Sequence, residues 1–113
     1  MNDFLKDMAG KIKQSDVKDA IVSMILFGSV DEGAEQPGSD IDICVVVKKS
    51  TDKKRVEDML FEINSQTMLE TGMRIEPYIK TVQEFKRDKN LGVLKSVQKS
   101  NQIIWGSDLG KIK

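Results

Sequence analysis

The chain has 113 residues, 18 Lys+Arg against 18 Asp+Glu, no histidine and one cysteine. That length fits one domain over residues 1–113, with a core large enough to fold without staples and no room for a second, substrate-reading domain. Zero net charge argues against a coat for nucleic acid or an anionic membrane, and 5% aromatic residues argues against a stacking platform for single strands. Without histidine, Ser-His-Asp and Cys-His catalysis and imidazole zinc sites are excluded. The lone Cys44, the absence of an apolar run of about 18 residues and a charged first segment lead us to expect a cytoplasmic location.

In chain order, Leu5, Met8, Ala9 and Ile12 follow the spacing of one helix face. Residues 21–27 form a near-continuous apolar run ending at Gly28, and residues 40–47 form a second run rich in Val and Ile; both read as strands. Ser50 and Thr51 are placed to cap a helix whose Val56, Met59, Leu60, Ile63 and Thr67 share a face, with Gly72 as its stop. Residues 73–79 alternate as a strand, and Pro77 within them predicts an edge position or the strand's end. Thr81 to Glu84 match a capping box, Leu91, Leu94 and Val97 mark another helical stretch, and residues 102–105 suggest a short last strand. The order predicts an α/β (α+β) fold, a small mixed sheet of three to four strands covered by helices. It does not say which strands run parallel.

Between Gly28 and Val47 there are five acids, Asp31, Glu32, Glu35, Asp40 and Asp42, and no base. Asp40 and Asp42 stand two apart on a strand, so both carboxylates project to one face while Ile41, Ile43, Val45 and Val47 point to the other. Paired carboxylates repel unless a cation lies between them, and their hard oxygens suit magnesium or manganese. By itself Asp-x-Asp also fits a solvated strand end. Gly28-Ser29 fits an ordinary turn or a phosphate-binding one. A nucleophilic Ser29 has no activating base, and no Walker lysine follows.

Together, Phe27-Gly28-Ser29, Gly33 and Ser39-Asp40-Ile41-Asp42-Ile43 resemble the signature of the nucleotidyltransferase superfamily that includes DNA polymerase β and kanamycin nucleotidyltransferase. The short length is most similar to the minimal nucleotidyltransferases. The resemblance is strong over residues 21–47 and rests elsewhere on element order, an acid on the next strand and the Ile103-Ile104-Trp105-Gly106 ending. It implies transfer of a nucleoside monophosphate, AMP from ATP, to an acceptor hydroxyl, with two magnesium ions (or manganese) held by Asp40, Asp42 and Glu76. Gly28, Ser29 and Ser39 are the implied nucleotide-binding residues; Glu62 and Glu70 are weaker rivals for the third ligand.

Minimal members resemble the enzyme half of pairs with helical HEPN proteins, so the resemblance also implies an antitoxin role and a homo- or hetero-oligomer. One departure stands out. Val30, Asp31 and Glu32 follow Gly-Ser where minimal members often carry arginines, which leaves Arg74, Lys48 and Lys49 as candidates for the positive charge. It also motivates an alternative, a catalytically weak module that neutralises a helical partner by contact. Residues 86–113 hold seven bases against two acids, a candidate partner surface or a solvated face.

Overall fold

The structure is a computed structural model and describes residues 2–28, 40–100 and 102–107. Its elements are α1 (Asn2–Lys13), a 3-10 turn (Lys18–Ala20), β1 (Ile21–Phe27), β2 (Asp40–Val47), α2 (Asp52–Thr71), β3 (Arg74–Thr81), α3 (Val82–Asp88), α4 (Gly92–Val97) and β4 (Gln102–Gly106). The four strands make one mixed sheet in the order β3-β2-β1-β4. β1 runs antiparallel to β2 and to β4, whereas β2 and β3 are parallel. A parallel pair needs a crossover, and the 20 residues of α2 supply it.

The alternation in β2 divides the molecule. Ile41, Ile43, Val45 and Val47 are fully buried on one face, against Met8 and Ile12 of α1 and Val56, Leu60 and Ile63 of α2. Cys44 and Val46 point to the other face, where Phe85 of α3 and Leu94 and Val97 of α4 cover them together with Ile25 and Phe27. Burying each such aliphatic side chain contributes about 1.5–3 kcal/mol, so the central strands are the part of the fold least free to shift. The covering of the second face stops short of its Asp40–Asp42 end, where both side chains are only half-buried.

The element ends show where local signals held. Gly72 takes the left-handed conformation (φ 73°) as the C-cap of α2, and its N–H donates to the Met68 carbonyl. Thr81 and Glu84 form the expected capping box at α3. Thr51 occupies the N-cap of α2, yet its own backbone is already helical and its side chain caps nothing. The preceding turn instead directs the Asp52 N–H to Lys49 O and the Lys53 N–H to Ser50 O.

β3 lies at the sheet edge, as Pro77 predicts, and that edge is blunted. The outward Ile75 N–H donates to Asn64 Oδ1 (2.7 Å) and the outward Thr81 N–H donates to Glu84 Oε1 (2.9 Å). Pro77, in the same alternation, has no N–H to offer. Of the outward positions in β3 only Ile79 keeps a donor, so a further strand would find little to pair with.

Candidate active site

The parallel register of β2 and β3 builds the site. It pairs Asp40 with Arg74, Asp42 with Glu76 and Cys44 with Tyr78. Directly paired residues on neighbouring strands share a face at a spacing of about 4.8 Å, so Asp42 and Glu76 stand side by side with Asp40 two residues along. On the other flank Asp42 pairs with Phe27 of β1. Three strands thus bring three carboxylates and two aromatic rings to one end of one face.

Gly28 closes this end. Its φ is +80°, and a Cβ there would lie 2.3 Å from Asp42 Oδ2 and 3.1 Å from Asp42 Cγ. Only glycine lets the backbone run this close to the carboxylate. The Phe27 ring meets the Tyr78 ring edge to face, with centroids 5.5 Å apart.

The electrostatics mark the cluster as uncompensated. Burial, then Asp40, then Glu76 push the Asp42 carboxyl above its ordinary range. Tyr78 feels the same field: burial raises its phenol first, followed by Asp42, Glu76 and Asp40. Arg74 engages the outermost acid, its Nη2 donating to Asp40 Oδ1 at 3.3 Å. Both partners are substantially exposed, so the pair contributes at most about 1 kcal/mol.

Arg74 therefore stands on the expected face, but Lys48 and Lys49 do not serve it. They follow the far end of β2, roughly 20 Å along the strand, and line a separate cavity of about 610 Å³ with Lys53 and Gln83. Glu62 and Glu70 lie exposed on α2, which packs on the opposite face of the sheet, and so drop out as rivals to Glu76. Ser29, Asp31, Glu32 and Ser39 lie outside the described residues. Cys44 is buried two residues beyond Asp42, and burial pushes its thiol up to about 12, which makes it inert at neutral pH. The sequence reading missed Tyr78. The period-two alternation of Arg74, Glu76 and Tyr78 was the signal available for it.

The donor set suits a hard divalent cation. It offers only carboxylate oxygens, and its central member is raised by burial and then by the like charges of Asp40 and Glu76. In the arrangement described, with Asp40 paired to Arg74, no three Asp, Glu or Cys side chains among the described residues already converge as metal ligands.

The mixed sheet thus sets three carboxylates on adjacent strands at one end of one face. The family model of the nucleotidyltransferase domain matches residues 5–104, and the chain belongs to that family. Among solved structures, a crystal structure of a toxin-antitoxin with AMP-PNP is similar over 93% of this chain and 76% of that one, with a TM-score of 0.56 and 17% identity. At that identity the likeness shows the fold. No curated protein sequence matches the chain.

Proposed function

We propose that this nucleotidyltransferase-family chain is a magnesium-dependent enzyme that moves AMP from ATP to a hydroxyl on a helical partner protein of the HEPN type, as the antitoxin of a cytoplasmic toxin–antitoxin pair. The observation that carries the reading is the Asp42–Glu76 pairing across parallel strands, with Asp40 on the same face. The toxin-antitoxin neighbour with AMP-PNP supports the choice of an adenine nucleotide and of a toxin as the protein partner.

Asp40, Asp42 and Glu76 would hold magnesium. When bound, the metal lowers the pKa of an attacking hydroxyl and neutralises triphosphate charge. The acceptor oxygen forms a bond to the α-phosphorus, the bond to pyrophosphate breaks, and the hydroxyl proton is released. This chain's own residues position the groups. Gly28 lets the backbone approach the Asp42 carboxylate, and Ser29 and Ser39 are proposed to bind nucleotide. Tyr78, braced by Phe27, walls the site. Arg74 orients Asp40 through its Nη2–Oδ1 contact.

The test combines the purified chain, a HEPN-type helical protein as the candidate acceptor, labelled ATP and magnesium. Label should pass to the partner, and Asp42→Asn or Glu76→Gln should abolish transfer. A folded, stable complex that takes no label would overturn the enzymatic reading. Asp31-Glu32 after Gly-Ser favours a second reading, neutralisation by contact. Under that reading Asp42→Asn leaves neutralisation intact.

A further inference from the structure

We propose that the outer face of α2 is the docking surface for an amphipathic helix of a partner protein, one with an apolar stripe flanked by Lys or Arg. The proposal rests on the reading of this chain as acting on a protein partner, and it supplies the surface and the partner's chemistry.

α2 is apolar on two faces. Val56, Leu60 and Ile63 are buried against the sheet, as expected of a crossover helix. Phe61, Met68 and Leu69, at i, i+7 and i+8, point the other way and are 72%, 49% and 89% exposed. At 3.6 residues per turn the three fall within about 100° of the helix circumference, away from the buried face. A lone exposed apolar residue is ordinary, whereas three on one side of one helix make that side a candidate interaction surface. Beside the stripe, Phe61, Leu60, Asn64, Ile75, Pro77 and Glu57 enclose a cavity of about 160 Å³, suited to one anchoring side chain.

Charge selects the partner. After the Lys53-Lys54-Arg55 run in its first turn, the outer side of α2 carries Glu57, Asp58 and Glu62 and no further base. Asp58 pairs with Lys54, whereas Glu57 and Glu62 flank the apolar stripe on either side. Cationic flanks on a docked helix would face Glu57 on one side of the stripe and Glu62 on the other. Strand addition is the less suitable mode here, because the adjacent β3 edge has its outward donors at Ile75 and Thr81 already used and none at Pro77. Side-chain docking in the helix-in-groove mode remains.

The position also links to the chemistry. Ile75 and Pro77, in the cavity wall, flank Glu76 in β3, whose side chain lies on the opposite face of the sheet. A helix seated on α2 therefore lies one edge strand from Asp42 and Glu76, close enough for a segment of the same partner to reach around β3.

The test uses two synthetic 20-residue helical peptides with identical leucine stripes, one flanked by Lys and Arg, the other by Glu. Binding is measured by NMR titration of the full chain without ATP or magnesium. The basic peptide is expected to shift resonances of residues 57–69 and to bind at least ten-fold more tightly than the acidic one. Phe61→Ser with Leu69→Ser should weaken binding at least ten-fold with an unchanged melting temperature. Glu57→Lys with Glu62→Lys should reverse the preference. Asp42→Asn should bind as the parent chain does, so a failed transfer reaction leaves this result readable. Equal affinity for both peptides, or shifts confined to other faces, overturns the proposal. So does a homodimer that Phe61→Ser dissociates, because a second copy would then be the occupant.

Discussion

Gly28→Ala is the most direct probe of how the fold sets the site. The new Cβ would sit 2.3 Å from Asp42 Oδ2 at a φ of +80°. An alanine in the left-handed region costs about 1–2 kcal/mol, and the contact must lengthen by roughly 1 Å to become tolerable. The Asp42 carboxylate is the part that yields, because the β1 backbone is held by both neighbouring strands. Stability should fall by about 1–2 kcal/mol, or roughly 5–10 °C in Tm for a domain of this size. Nucleotidyl transfer should fall further, about 100-fold, since a 1 Å misplacement of a catalytic group has effects of that order. Thermal denaturation and the labelled-ATP assay read the two effects separately. The double variant Gly28→Ala with Asp42→Ala removes the contact but keeps the backbone penalty, so its stability should exceed the sum of the single changes. A Gly28→Ala chain with unchanged Tm and unchanged transfer would refute the close approach.

Three further outcomes are expected. Because the Asp42 carboxyl is raised, the folded chain binds that proton more tightly than the unfolded chain, so ionised Asp42 destabilises at neutral pH and the penalty fades as pH falls through its folded value. Asp42→Asn should thus raise Tm at pH 7 in the absence of metal, with the gain shrinking as pH falls and Asp42 takes up its proton, and magnesium should raise the Tm of the parent chain but not of the variant. Glu84 is held down to about 2, first by Lys53 and then by the Thr81 N–H, so its contribution is present above pH 4.5 and lost as pH falls toward 2. Glu84→Gln should cost about 1 kcal/mol at pH 7, read by urea denaturation, and nothing near pH 2. Cys44, pushed up to about 12, should resist thiol reagents at pH 8 in the native chain and react at once in denaturant.

Much of this was legible locally. The spacing of Asp40 and Asp42 requires a shared face in any strand, because alternation is a property of extended backbone. The capping box at Thr81 and Glu84 and the Gly72 stop are likewise local, and both stand in the structure. Thr51 misled because a hydroxyl at an N-cap acts only when its own backbone leaves the helical region, and here a turn from Lys49 keeps it there. Lys48 and Lys49 looked close to the acids in the chain but stand a full strand length away, since an extended run of eight residues separates its ends by the greatest distance the chain allows.

The sequence by itself determined the period of each element, which residues share a face within it, and the carboxylate pair that invites a cation. Tertiary structure alone decided that β2 and β3 run parallel in the register that sets Asp42 against Glu76. It also decided that Arg74 reaches Asp40 and that Phe61 and Leu69 of α2 are left facing outward. The reason is physical. Alternation and capping act within a few residues, whereas register and exposure follow from which apolar faces bury one another across the whole molecule.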